Sequence, residues 1–133
     1  MNISGANILV TGGCGLIGST TIDQLLREDV GQIVNYDNLV RGSMHNVEAM
    51  LADPRVTLVK GDIRDVAAVR QATEGMDAVI HMATLRITAC AAEPREALEV
   101  MCDGSYNVLE AAKDCGVKKF VTASSASIYG LAD

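Results

Sequence analysis

A chain of 133 residues, 49% of them hydrophobic, is long enough to bury a sizeable core, so we expect a single folded domain. The formal net charge of −6 argues against nucleic acid as a partner, because a nucleic-acid-binding surface needs a basic stripe. No apolar run approaches the ~20 residues that span a bilayer, and no basic segment followed by an apolar one opens the chain. We therefore expect a cytoplasmic protein without a signal peptide and without a membrane partner.

The four cysteines are scattered along the chain and show no paired spacing of the zinc or redox type. We therefore expect reduced thiols, as in a cytosolic protein, and no metal site. Cys14 lies within a glycine-rich stretch, where a reactive thiol is the alternative.

Short apolar runs alternate with helical runs along the whole chain. The expected strands are residues 7–11, 32–36, 56–60, 77–81 and 119–123. The expected helices are residues 16–28, a short one at 43–52 capped by Ser43, one capped by Asp65 that ends near Thr73, and a long one from Pro94 to Cys115. The buried face of the long helix is expected to carry Ala97, Met101, Gly104, Val108 and Ala112.

Apolar, β-branched strands that alternate with helices indicate an α/β fold, with a parallel sheet covered by helices on both faces. The expected strand order is 3-2-1-4-5. A ligand crevice then lies at the carboxyl ends of strands 1 and 4.

Three glycines spaced three residues apart connect the first strand to the first helix. Gly12 lets the chain turn sharply, Gly15 leaves room for a pyrophosphate, and Gly18 lets the helix lie close to the strands. The first N–H groups of the helix, around Leu16 and Ile17, then face the phosphates. The alternative is a plain tight turn, but a strand before and a helix after favour a dinucleotide site.

A carboxylate ends the second strand at the distance that ribose recognition requires. Asp37 lies nineteen residues after Gly18, where it can accept hydrogen bonds from both ribose hydroxyls of an adenosine. It would also repel a 2′-phosphate and so favours NAD over NADP, although Arg41 could weaken that preference. The alternative for Asp37 is a solvated turn residue.

Polar side chains also follow the third strand. Asp62 can accept a hydrogen bond from an adenine amino group while Ile63 packs against the ring. A simple strand-to-helix turn, with Asp65 as the helix cap, is the alternative and is compatible with the first interpretation.

The ends of the fourth and fifth strands complete the predicted site. His81 is expected to be a packed residue and not a base, and the residues after it leave room for the cofactor backbone: Met82, Ala83 and Thr84. Hydroxyl groups after the fifth strand, on Ser124 and Ser125, point toward the expected nicotinamide position, although a serine cluster is also common turn chemistry.

Five segments in this order resemble the extended short-chain dehydrogenase/reductase family, in particular its NAD-dependent sugar-nucleotide epimerases and dehydratases of the UDP-glucose 4-epimerase type. The segments are TGGCGLIG (11–18), YDNL (36–39), GDIRD (61–65), NVLEAA (107–112) and SSASIYG (124–130). The resemblance implies a Rossmann domain followed by a smaller nucleotide-sugar domain. The whole of 1–133 is then the NAD-binding Rossmann domain, cut after strand five.

The resemblance also implies roles for individual residues. Asn38, in the YDNL segment, joins the cofactor-binding residues, and Ser124 lies on the nicotinamide side. Members of the family transfer a hydride between NAD and a sugar carbon. A tyrosine acts as the base, a lysine four residues later in the Tyr-x-x-x-Lys motif lowers its pKa, and a Ser or Thr, here Ser125, orients the hydroxyl.

The sequence departs from the family because it contains no Tyr-x-x-x-Lys. Its tyrosines are followed at the lysine position by Val40, Glu110 and Asp133. We therefore expect the chain to bind NAD without full catalysis, and the nucleotide sugar to be the substrate of a full-length parent. The alternatives are a stand-alone dinucleotide-binding sensor or regulatory module, and an enzyme that acts on a smaller substrate. Met101 stands where relatives usually carry Asn.

Association with a second copy is the remaining expectation. In relatives the long helices that follow strands four and five often pair across a dimer, so the 94–115 helix and the edge of strand five are the candidate surfaces of a homo-oligomer.

Overall fold

Five parallel strands form the centre of the protein, whose computed structural model describes residues 2–130. The strands are β1 (Ile8–Thr11), β2 (Ile33–Asp37), β3 (Val56–Lys60), β4 (Ala78–His81) and β5 (Lys119–Thr122). All pairings are parallel and the order is β3-β2-β1-β4-β5, which confirms the predicted topology. The carboxyl ends of all five strands therefore meet along one edge of the sheet.

Helices connect the strands and cover both faces of the sheet. They are α1 (Leu16–Leu25), α2 (Val66–Thr73), α3 (Ile87–Ala92), α4 (Pro94–Leu98) and α5 (Ser105–Asp114). A π-helical turn (Glu99–Gly104) joins α4 to α5 without a break. None of the helices within residues 2–130 has the length and apolar character needed to cross a membrane.

Alternating residues of the strands build a separate core on each face. Ile8 and Val10 of β1 pack with Ile22 of α1 on one face. Leu9, between them, belongs to the opposite core with Val69 of α2, and that core also includes residues of α5. The alternation of side chains along a strand is what lets a nearly continuous apolar run serve both layers.

The prediction of one short helix at 43–52 is wrong in the type of helix. Two 3₁₀ turns, Met44–Asn46 and Met50–Ala52, occupy this segment. The predicted cap is present, because Ser43 Oγ accepts a hydrogen bond from the N–H of His45 at 3.3 Å. The helix stops because Val47 leaves the helical conformation (φ −124°, ψ −9°) and buries its side chain completely.

The burial predicted for the long helix is wrong at Met101, whose exposed fraction is 39%, whereas its neighbour Val100 is 8% exposed. A π-helical turn contains one residue more than an α-helical turn, so the face directed at the core shifts by one position. Beyond the turn, Val108 and Ala112 are buried as predicted. Helix α3 had no sequence prediction.

A charge network ties the loop between β3 and α2 to the helix after Pro94. Arg64 Nη2 lies 2.8 Å from Asp62 Oδ2, and Arg64 Nη1 lies 3.8 Å from Glu96 Oε1. Hydrogen bonds from the Arg64 side chain are the largest reason why the pKa of Asp62 falls to about 2. The folded state therefore favours the ionised carboxylate.

The glycine at the end of β1 gives the first testable prediction. Gly12 and Gly116 have almost the same φ, +72° and +73°, but a Cβ on Gly12 would lie 2.7 Å from Ala83 N, whereas a Cβ on Gly116 would meet nothing within 4 Å. We expect Gly116→Ala to lower the free energy of unfolding by about 1 kcal/mol through backbone strain alone. Gly12→Ala should lose a further ~1–3 kcal/mol through overlap with backbone that cannot move aside.

Urea unfolding of the two variants measures this difference directly. Equal losses of stability in both would show that Gly12 is needed only for its conformation and not for the close approach.

The depressed pKa of Asp62 predicts a loss of stability in acid. The pKa in the unfolded chain is about 3.9, so the contribution of Asp62 is complete above about pH 5 and disappears as the pH falls through about 2. Because Arg64 is partly exposed, we expect this contribution to be on the order of 1 kcal/mol. The Arg64→Met substitution should raise the pKa of Asp62 toward about 4, which an NMR titration can measure. A pKa near 4 for Asp62 in the wild-type protein would contradict the prediction.

Candidate cofactor site

A cleft of about 990 Å³ runs along the carboxyl ends of the strands. It brings together every residue that the sequence assigned to a cofactor or a substrate. These residues are Gly12, Gly15, Leu16, Ile17, Gly18, Asp37, Asn38, Asp62, Ile63, Met82, Ala83, Thr84, Ser124 and Ser125. One continuous surface thus joins segments that lie more than 100 residues apart in the sequence.

The glycine loop is built around backbone contacts. The N–H of Gly12 donates to the carbonyl oxygen of Tyr36 at 2.8 Å, which fixes the turn to the neighbouring strand. A Cβ on Gly18 would overlap the carbonyl oxygen of Gly12 and the Cα of Gly13. Gly18 therefore lets α1 pack against the loop itself, whereas the sequence predicted close packing on the strands.

The first turn of α1 presents backbone donors to the cleft. The helix begins after Gly15, and its first intrahelical bond runs from the N–H of Ser19 to the carbonyl oxygen of Gly15 at 2.9 Å. The N–H groups of Leu16, Ile17 and Gly18 precede that bond and lack intrahelical acceptors. The side chains of Leu16 and Ile17 are 78% and 68% exposed, so a ligand at this position would also cover apolar surface.

Asp37 is held in place by two backbone donors. Its carboxylate accepts hydrogen bonds from the N–H of Cys14 at 2.9 Å and from the N–H of Leu39 at 2.8 Å. Leu39 also adopts a left-handed φ of +61°, which is unusual for a bulky non-glycine residue. A carboxylate has about four acceptor positions, so beyond the donors within residues 2–130 about two positions remain for further donors.

Cys14 is fully buried, and burial is the largest reason why the pKa of its thiol is raised, with the nearby charge of Asp37 second. A buried, protonated thiol is unreactive. The alternative of a reactive Cys14 is therefore not supported by its position in the folded chain.

Asp62 has a different environment from Asp37. Its Oδ1 accepts hydrogen bonds from Arg64 N at 2.9 Å and Arg64 Nε at 3.0 Å. Its Oδ2 accepts from Arg64 Nη2 at 2.8 Å and Asn38 Nδ2 at 3.3 Å. All of its acceptor positions are occupied, so an adenine amino group would have to replace one of these donors.

His81 is a packed residue at the floor of the cleft. Its Nδ1 lies 2.7 Å from Thr11 Oγ1 and its Nε2 lies 3.0 Å from Ser105 Oγ. Thr11 Oγ1 already accepts the N–H groups of Met82 and Ala83, each at 3.3 Å, so we assign the single hydroxyl proton of Thr11 to His81 Nδ1. The neutral imidazole then carries its proton on Nε2, and burial lowers the pKa of His81. His81 in this state is a poor base.

The far end of the cleft carries hydroxyl groups and a thioether. Ser124 and Ser125 follow β5 and are exposed along the cleft. Thr84 Oγ1 lies 3.2 Å from Met101 Sδ, which also accepts the N–H of Leu85 at 3.3 Å. Met101 therefore forms part of the cleft wall at this end.

Several lining residues were missed as site residues by the sequence analysis, among them Arg64, Ser105 and Glu96. Ser105 and Glu96 lie on the long helical segment, where the sequence signals only an amphipathic helix. Arg41 and Arg86 also line the cleft, and neither forms an ion pair with any residue between 2 and 130. Two cations without an ion pair inside residues 2–130, in the same cleft as the N–H groups at the start of α1, are a suitable donor set for an anionic ligand.

Comparison with known sequences assigns the family. The model of the NAD dependent epimerase/dehydratase family matches residues 8–133. UDP-glucose 4-epimerase from Erwinia amylovora is 36% identical over 129 residues, which cover 93% of this chain and 38% of that relative. UDP-glucose 4-epimerase from Klebsiella pneumoniae is 34% identical over 128 residues, which cover 92% of this chain and 91% of that relative. The chain thus spans well under half of the Erwinia relative.

Solved structures agree with this assignment. A dTDP-glucose 4,6-dehydratase from Streptomyces venezuelae, solved with NAD and TYD bound, superposes with a TM-score of 0.90 at 33% identity, covering 96% of this chain and 42% of that one. A UDP-glucose-4-epimerase from Stenotrophomonas maltophila, solved with NAD and formylated UDP-arabinopyranose, gives a TM-score of 0.86 at 32% identity, covering 96% and 39%. The chain therefore belongs to the NAD-dependent epimerase/dehydratase family, and its five-stranded parallel sheet is the Rossmann-type sheet of that family.

Proposed function

We propose that residues 1–133 form the NAD-binding domain of an enzyme that epimerises or dehydrates a nucleotide sugar through transient hydride transfer. The observation that carries this proposal is the single cleft that joins the α1 N-terminus, the Asp37 carboxylate and the hydroxyls after β5. Bound NAD would supply the hydride acceptor. The residues of this chain bind it, orient it and line the entrance for the second substrate.

Each part of the cleft has a role in this proposal. The N–H groups at the start of α1 hold the pyrophosphate, Gly12 makes the sharp turn that precedes them, and Gly15 leaves room for the pyrophosphate. Asp37 accepts the adenosine ribose hydroxyls, and its charge disfavours a 2′-phosphate. At the adenine end, the residues assigned to base recognition are Asn38, Asp62 and Ile63. Of these, Ile63 is only 5% exposed, so it can offer the ring no more than an edge of its side chain.

The part of the cleft wall that follows β4 is made of Met82, Ala83 and Thr84. The backbone of the cofactor would run alongside these three residues. In the same proposal, Ser124 lies on the nicotinamide side and Ser125 orients the reacting hydroxyl of the sugar. Both serines are exposed to the cleft, so a substrate can reach them.

Two of the three tyrosines, Tyr36 and Tyr106, do not have the environment of a base. Burial is the largest reason why the pKa of Tyr36 is raised to about 12, and its hydroxyl donates to the carbonyl oxygen of Asp62 at 2.9 Å. A hydrogen bond to Glu110 raises the pKa of Tyr106. A tyrosine base needs a lowered pKa, so these environments support the proposal that this chain binds NAD without completing a reaction.

Two matched carboxylate variants test the cofactor assignment. We expect wild-type protein to bind NAD at least about tenfold more tightly than NADP, because Asp37 accepts ribose hydroxyls and repels a phosphate. Asp37→Asn should weaken NAD binding about tenfold and reduce the preference for NAD over NADP. Asp23→Asn, which removes a carboxylate outside the cleft, should leave both affinities unchanged.

Isothermal titration calorimetry with the two dinucleotides measures all of these affinities. Equal wild-type affinity for NAD and NADP would refute the role of Asp37, and binding of neither would refute the proposed function.

Turnover by the purified chain is a second test. We expect no interconversion of UDP-glucose and UDP-galactose in the presence of NAD, because no residue of this sequence forms the Tyr-x-x-x-Lys pair. Product analysis by chromatography would detect the reaction. Full turnover by this chain alone would overturn the expectation of binding without catalysis.

A further inference from the structure

The two carboxylates that line the cleft differ in how many of their acceptor positions are available. Asp37 accepts hydrogen bonds from two backbone N–H groups, and about two of its positions remain. Asp62 accepts four hydrogen bonds, three of them from Arg64 and one from Asn38. Asp62 can receive a new donor only if one of these four leaves.

Arg64 already has a second set of acceptors within reach. Its Nη1 lies 3.8 Å from Glu96 Oε1 and 3.7 Å from Glu99 Oε2. Both distances are longer than a hydrogen bond and short enough for ion pairing, so a small rotation of the guanidinium would convert them into direct contacts. The side chain of Arg64 is 38% exposed and has room to rotate.

The backbone beneath Arg64 is fixed independently of its side chain. Asn107 Nδ2 donates to the carbonyl oxygen of Ile63 at 3.0 Å. Tyr36 Oη donates to the carbonyl oxygen of Asp62 at 2.9 Å. The guanidinium can therefore change partners while the loop that carries Asp62 stays in place.

We propose that Arg64 is an exchangeable partner of Asp62: the exocyclic amino group of the adenine replaces the guanidinium on the Asp62 carboxylate, and Arg64 moves onto Glu96 and Glu99. This inference rests on the proposed NAD-binding function. Arg64 stays paired with a carboxylate in both positions, and partly exposed ion pairs contribute little net stability, so the exchange is energetically feasible. Arg64 is then a positioning and specificity-determining residue at the adenine end.

The exchange has a consequence for base selectivity. With Arg64 present, a purine that carries a carbonyl group at the position of the amino group can accept a hydrogen bond from the guanidinium, which then stays near Asp62. Without Arg64, the same carbonyl would face a bare carboxylate, which repels it. Wild-type protein should therefore tolerate both bases, and loss of Arg64 should sharpen selection for adenine.

Calorimetric titration with NAD and with its hypoxanthine analogue tests this selectivity. We expect the two affinities to lie within about threefold of each other in wild type and to differ by about tenfold or more in Arg64→Met, which roughly corresponds to one hydrogen bond to a charged group. Arg64→Lys keeps the charge but loses the planar guanidinium. It serves as the second variant, and its ratio of the two affinities should lie between those of the wild type and Arg64→Met. An affinity ratio that is the same in all three proteins would overturn the exchange.

The receiving carboxylates provide a coupling test. Replacement of both glutamates by glutamine, Glu96→Gln with Glu99→Gln, should weaken NAD binding several-fold in the wild-type background. The affinity for the hypoxanthine analogue should not change. In the Arg64→Met background the same replacements should not change the affinity for NAD, because that protein has no guanidinium that could move onto Glu96 and Glu99. Equal effects in both backgrounds would refute the exchange.

NMR gives a readout that a purely structural role of Arg64 would not change. On addition of ADP-ribose, we expect the Nε–H signal of Arg64 to shift and to exchange faster with water, while the Asn107 side-chain amide keeps its position. Nicotinamide mononucleotide, which lacks adenine, should leave the Arg64 signal unchanged. An Nε–H signal that does not respond to ADP-ribose would refute the exchange, and a wild-type protein that binds neither dinucleotide would overturn both the exchange and the proposed function.

Discussion

The close approach of two strand ends is the constraint on which the cleft depends. The backbone at Gly12 lies so near Met82 and Ala83 that no side chain fits between them. Thr11 reinforces this contact, because its hydroxyl accepts the N–H groups of both residues and points its proton at His81. Since the chain departs in opposite directions after β1 and β4, the crevice opens where these two ends are held together.

The features that the sequence analysis predicted correctly are those that depend on short-range patterns of apolar, polar and glycine residues. Strand order follows from apolar runs alternating with helices, and the carboxyl ends of parallel strands must share an edge. The glycine spacing and the position of Asp37 could be recognised because both are short-range features of one β-α-β unit. Their common location in a single cleft then follows from topology alone.

The parts that sequence did not predict depend on contacts between distant segments. The full occupancy of the Asp62 carboxylate involves Arg64, two positions away, yet the proximity of Arg64 to Glu96 and Glu99 needs the folded helix. The first of the two 3₁₀ turns is held against Cys14, whose carbonyl oxygen accepts hydrogen bonds from Ser43 N and Asn46 Nδ2. Helical propensity alone could not reveal either arrangement.

The π-helical turn at Glu99–Gly104 affects how this chain should be compared with others. A relative whose helix is regular throughout would need one residue fewer between Pro94 and Gly104 to place the same faces against the sheet. An alignment that ignores this would pair side chains that occupy different places in space. The correspondence of Met101 with any residue of a relative is therefore a question of helical geometry before it is one of sequence.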